Sequence, residues 1–228
     1  MRIRLVFLQI ITLVYTVMAQ SQIVITPGVS NAALISNLAG QGISISNISM
    51  HCNTAAYGTF TNGAASSIGL NNGLLLTTGG ATLAADTNSS NGQTDCWDDT
   101  LVDVDLSALE PLAFIDPCII EFDMVPQCSQ LTIRYVFGSE EYPEYVSSGY
   151  NDAFGFFITG PNPLGGNYNS VNIAKLPNGT IASIDNINNV TNNAFYINNA
   201  NSTTIEYDGL TTQINSTVNL IPCLNYHF

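Results

Sequence analysis

Positive charge is nearly absent from this chain. Its 228 residues include four Lys and Arg against seventeen Asp and Glu, for a formal net charge of −13. Arg2 and Arg4 stand at the extreme N-terminus, so Arg134 and Lys175 are the only strong cations in the rest. Such a chain repels phosphate backbones and anionic lipid, which argues against nucleic acid as a partner. Histidine occurs only at 51 and 227, and no two of the five cysteines have CxxC spacing, so no zinc site is expected from spacing. No serine lies in a GxSxG elbow, and Ser139 has no histidine near it in sequence. Beyond the N-terminus no apolar run approaches the roughly twenty residues that cross a bilayer, so no transmembrane segment is expected.

What is present first settles the compartment. Arg2 and Arg4 precede an apolar run from Leu5 to Met18, and Val17-Met18-Ala19 fits a cleavage site. Charge, length and cleavage chemistry describe a secretory signal peptide over residues 1–19. Residues 20–29 then form a lead-in and 30–228 a single domain. In an exported chain, cysteines favour disulfides over metal ligation. Cys52, Cys96, Cys118, Cys128 and Cys223 are odd in number. The expected pairs are Cys52 with Cys96 and Cys128 with Cys223, although connectivity does not follow from sequence alone.

Asn, Gly, Thr and Ser are abundant, which favours turns and strands over long helices. One short N-terminal helix is predicted over Ser30–Ala39, with Ser30 as cap and Gly40 and Gly42 as terminators. Ile43–Ile48 alternates at period two, and Gly73–Gly79 reads as a buried strand. Asp103–Leu109 predicts a helical turn stopped by Pro111. Ile119–Val125 and Leu131–Phe137 both alternate across Pro126–Ser129 and predict a hairpin. Ala153–Thr159 reads as one core strand, and further short strands are expected near 171–175, 181–184, 195–198, 203–207 and 217–221. Many short strands between turn signals predict an all-β sandwich, of jelly-roll type.

The scarce charge is concentrated. Glu140, Glu141, Glu144 and Asp152 fall in a loop between two strands. Calcium takes carboxylate and amide oxygens, and Glu140, Glu141, Asn151 and Asp152 offer that mixture. A solvated edge loop explains the same residues without an ion. Asp95, Asp98, Asp99, Asp103 and Asp105 surround Trp97. A tryptophan beside acids can stack on a sugar, while one beside a cysteine can simply cover a disulfide. Tyr145 is a second candidate for partner contact.

The ordered motifs Leu74-Leu-Leu-Thr-Thr-Gly79, Asp103–Leu109, Ile120–Pro126, Tyr135–Tyr145, Tyr150–Phe157, Asn172–Ala174, Tyr207–Thr211 and Pro222–His227 resemble the choice-of-anchor L domain of bacterial surface proteins. The resemblance covers most of the mature chain. It implies export and display on the cell surface through anchors that differ among members, and it implies no activity. In the family the Tyr-His motif continues into a further apolar segment. The expectation is therefore that one or two last strands and an anchor lie beyond Phe228. The sequence thus predicts a secreted, non-catalytic binding or adhesion module that meets a glycan or protein, with calcium as its one candidate cofactor. The alternatives are a secreted carbohydrate-active hydrolase and a structural spacer that displays other domains.

Overall fold

A computed structural model describes residues 22–228, apart from 91, 94, 96, 98–100 and 112–114. The expected signal peptide at 1–19 lies outside the described residues, as do Cys96, Asp98 and Asp99.

In chain order the first strands are β1 (Val24–Pro27), β2 (Ile43–His51), β3 (Tyr57–Thr61), β4 (Gly73–Leu76), β5 (Ile119–Pro126), β6 (Gln130–Tyr135) and β7 (Gly138–Ser139). They are followed by β8 (Ala153–Phe154), β9 (Phe157–Pro161), β10 (Asn167–Asn172), β11 (Ala182–Ser183) and β12 (Tyr196–Asn198). The last three are β13 (Gly209–Thr211), β14 (Ile214–Asn219) and β15 (Tyr226–His227). The α-helices are α1 (Asn31–Leu38) and α2 (Val104–Leu109). Both begin on side-chain caps: Ser30 accepts from the Ala33 N–H at 3.4 Å and Asp103 from the Leu106 N–H at 2.6 Å. Each cap satisfies a backbone donor that the first helical turn leaves unpaired. No described helix is long and apolar enough to cross a membrane.

The largest sheet has the order β10-β9-β15-β5-β2, all antiparallel. Its inner face supplies Phe122 and Met124 from β5, Ile158 from β9 and Tyr226 from β15. These meet Val218 and Leu220 from and beyond β14, together with Leu131 of β6, so two layers close on one core. A second cluster lies beneath β6, β8, β11 and β14, around Tyr135, Ile187 and Ile214. A third, with Ile23, Phe60, Ile205 and Leu210, joins the β1-β3-β4 sheet to the β12-β13-β7 sheet. The chain is an all-β sandwich.

Two expectations about pairing fail. Ile119–Val125 and Leu131–Phe137 do form strands, but they do not pair with each other. β5 pairs with β2 and β15, whereas β6 pairs along its whole length with β14. The turn at Pro126–Ser129 carries the chain from one layer to the other, because β5 and β6 both direct apolar residues into the shared core. The predicted strand at 153–159 is likewise divided. Gly155 and Phe156 separate β8, which pairs with β11, from β9, which pairs with β10 and β15. The Phe156 N–H leaves the ladder for the Asn172 side-chain oxygen at 3.1 Å.

The disulfide pairing is also corrected. Cys52 bonds Cys118. The register of β2 on β5 sets His51 opposite Ile119, so the next residue outward on each strand is a cysteine. Cys128 and Cys223 are free and exposed instead of bonded. The Cys223 N–H still donates to the Pro126 carbonyl at 2.7 Å, but its backbone is left-handed (φ 64°), which ends the regular ladder there.

Candidate functional site

The acidic loop runs from β7 to β8 and is tied down at its base. Tyr142 is fully buried and its hydroxyl donates to the Ile187 carbonyl at 2.5 Å. Tyr142–Pro143 is a cis peptide bond. The Ser147 N–H donates to Asp185 at 2.6 Å, and the Asp185 N–H donates to the Asn151 side-chain oxygen at 3.1 Å. Asn151 is thus a buried structural group that holds the loop against the 183–187 turn. At the tip the loop presents an exposed aromatic pair, Tyr145 and Tyr150, in edge-to-face contact with ring centroids 5.6 Å apart.

Glu140 and Glu141 have different neighbours. Glu141 lies near Asp152 and Glu144, and its carboxyl is raised by burial and then by those two charges. Its N–H donates to the Ser139 hydroxyl at 2.9 Å, and that hydroxyl donates to Asp152 at 2.6 Å. Burial raises Asp152, and the Ser139 hydrogen bond opposes the rise. Glu140 lies near Asp208 and Glu206. Burial first, then those two charges, push it up to about 8. Backbone hydrogen bonds from Gln93 and Gly92 oppose the rise.

Glu206 and Asp208 were not singled out by sequence reasoning. They are almost wholly buried, at 4% and 1% exposure, which is unusual for carboxylates without cationic partners. In the run Ile205-Glu-Tyr-Asp208, Ile205 and Tyr207 enter the third core cluster while the acids take the other side. Ala84, Asn88 and Ser89 lie over this segment. Ser89 donates to Glu206 through its N–H at 3.4 Å and its hydroxyl at 3.3 Å, and the Asn88 amide donates to Asp208 at 2.8 Å. One oxygen on each acid is still unpartnered among the described residues. The available signal was their alternation with Ile205 and Tyr207 in a chain so short of charge.

The predicted ligands therefore form two neighbouring acidic groups. Among the described residues no three His, Cys, Asp or Glu side chains are already gathered so as to hold a metal ion. Calcium would need the carboxylates of Glu140, Glu206 and Asp208, or the Glu141–Asp152 pair, to close further.

Trp97 is half-buried and lines an open depression of about 410 Å³ with His51, Cys52, Asn53 and Leu101. Its N–H donates to Asp116 at 3.2 Å, while its ring N–H is buried without a partner among the described residues. Of the acids expected around it, the three that are described are dispersed. Asp95 lies over the Gly79–Gly80 backbone, Asp103 caps α2, and Asp105 accepts from the Ser170 hydroxyl. Trp97 stands beside the Cys52–Cys118 bond and still faces an open recess.

A third polar group lies on the outer face of the largest sheet. His51 contacts Glu121 at 2.8 Å, and His227 lies 3.9 Å from the other Glu121 oxygen and 3.0 Å from Asp123. Hydrogen bonds from Asn47 and His227 hold Asp123 below the usual carboxylate range. The two histidines, 176 positions apart by their numbers, are brought to one carboxylate by strand order alone.

No curated protein and no solved structure matches the chain. The family model for the choice-of-anchor L domain matches residues 23–228, and the chain belongs to that family.

Proposed function

We propose that this secreted, cell-surface-associated domain is a non-catalytic adhesion module that meets a glycan or protein through its 140–152 loop. Calcium beneath the loop would offset the repulsion among the carboxylates. The observation that carries the reading is the exposed Tyr145–Tyr150 pair on a loop whose base is fixed by buried Tyr142 and Asn151. Tyrosine supplies large amphipathic contact area at low entropic cost, and a fixed base lowers the ordering penalty on binding. The Trp97 recess is a second contact surface. Calcium is supported by one oxygen each of Glu206 and Asp208 that is buried without a partner among the described residues, because buried carboxylates are ordinarily paired.

The test has two parts. Glycan arrays and capture of cell-surface proteins are run with the mature chain and with Tyr145→Ala/Tyr150→Ala and Trp97→Ala. Loss of a reproducible ligand in a variant that still melts normally supports the reading, and full retention in all variants overturns it. Thermal melts with calcium and then chelator test the cation, since an ion that binds only the folded state raises the midpoint. Glu141→Gln discriminates the hydrolase alternative: an enzyme would lose turnover of a glycan it still binds.

A further inference from the structure

We propose that His51, Glu121 and His227 bind a borderline transition-metal ion, zinc(II) fitting best, on the outer face of the five-stranded sheet. No spacing motif announces this site, because the fold assembles it. Alternation on β5 turns Phe122 and Met124 into the core and Glu121 and Asp123 outward. β2 and β15 flank β5 on its two sides. In register, His51 lies opposite Ile119 and His227 opposite Asp123, so each ring reaches Glu121 along a diagonal. Every histidine in the chain is used.

The distances are within a short side-chain movement of a metal site. Two ligand atoms each about 2.0–2.1 Å from a tetrahedral zinc stand about 3.3 Å apart. The observed Nε2-to-carboxylate distances of 2.8 Å for His51 and 3.9 Å for His227 lie on either side of that value. Among the described residues no three such side chains are already gathered so as to hold an ion, so these three are not yet arranged about one point. An ion would replace the ring-to-carboxylate contacts and draw both Nε2 atoms inward. All three side chains are about half exposed (45%, 46% and 52%), which leaves them room to move.

A supporting layer is already built. His227 uses Nδ1 to meet Asp123 at 3.0 Å, which points Nε2 toward Glu121, and the Asn47 amide donates to Asp123 at 2.7 Å. A carboxylate behind a histidine ligand fixes the ring and strengthens its basicity in metal sites generally. Two imidazoles and one carboxylate favour zinc or a neighbouring transition metal over calcium and magnesium, which take oxygen. Half-exposed ligands leave the remaining positions to water or to an outside donor. The bound ion would also tie β15 and β2 to β5 across the sheet.

The experiment uses the untagged mature chain with Cys96→Ser, Cys128→Ser and Cys223→Ser, so that no thiol outside the Cys52–Cys118 bond competes. Zinc chloride is titrated by calorimetry, and histidine ring nitrogens are followed by NMR. The expected result is one zinc per chain, shifting both histidines together. His51→Ala and His227→Ala should each weaken binding at least about tenfold, and Asp123→Asn by about 10–100-fold. Circular dichroism confirms that the variants remain folded. No zinc uptake, or uptake unchanged by both histidine substitutions, overturns the proposal. Calcium is titrated separately into the same protein, so failure of the acidic-loop reading is seen independently.

Discussion

Gly209 lies so close beneath Tyr142 that a Cβ at that position would come within 2.5 Å of the ring. The contact joins β13 to the acidic loop and explains how a surface loop holds a fully buried tyrosine. Gly209→Ala must displace the ring or the strand, and overpacking of this kind costs about 1–3 kcal/mol. Tyr142→Phe keeps the shape but leaves the Ile187 carbonyl without its donor, which costs about 1–3 kcal/mol if the oxygen stays dry. Urea denaturation should show both losses. A wild-type midpoint for Gly209→Ala would mean that the loop does not rest on β13.

Glu140 makes stability depend on pH with a defined sign. Its carboxyl stands at about 8 in the folded chain against 4.5 for the free side chain. Between those values the folded state keeps a proton that the unfolded state has lost. Stability from this group is therefore lost as pH rises from about 4.5 to about 8, and it levels off above. Glu141, Asp152 and Asp208 are also raised and act in the same direction. In chelator the domain should melt higher at pH 5 than at pH 8. Glu140→Gln should flatten that difference and raise the midpoint at pH 8. Equal midpoints at both pH values in the unmutated protein would sink this account.

The parts of the fold legible in the sequence were those set by local chemistry. Ser30 lies within one turn of the backbone donor it caps, and α1 begins where that cap predicts. Alternation in 119–125 identified which face of β5 is buried, since a side chain's face depends only on its own strand. It did not identify the partner, because β6 alternates equally well against β14 as it would against β5. The acidic loop was located correctly, but its division was not. Whether Glu140 and Glu141 share a ligand depends on the 204–208 segment, which arrives from more than sixty positions away. His51, Glu121 and His227 were illegible for the same reason: their meeting depends on β15 entering between β5 and β9.

Removal of the Cys52–Cys118 bond should be strongly destabilising. It joins residues 66 positions apart and continues the β2–β5 ladder past the His51–Ile119 pair. Constraint of so long a loop in the unfolded chain places the loss at about 2–5 kcal/mol. Cys52→Ala/Cys118→Ala compared by denaturant titration checks the magnitude. Reductant should lower the midpoint of the unmutated protein and leave the double variant unchanged. Equal sensitivity of both proteins to reductant would show that another cysteine pair carries the effect.

Phe228 should be among the most sensitive positions in the chain. Its ring stacks on Phe122 and Phe156 with centroids 5.4 and 5.2 Å away, and its backbone exchanges hydrogen bonds with Phe122 at 2.9 and 3.0 Å. It follows directly on β15, the strand that separates β5 from β9 in the middle of the largest sheet. The ring is 7% exposed, so Phe228→Ala opens a cavity inside the main core and should cost about 3–5 kcal/mol. His227→Ala, one residue earlier and facing outward, should change stability by well under 1 kcal/mol without metal. The pair of variants separates core packing from the outer-face chemistry. If Phe228→Ala melted like the unmutated protein while His227→Ala did not, β15 would have to be held by its outer face instead of the core.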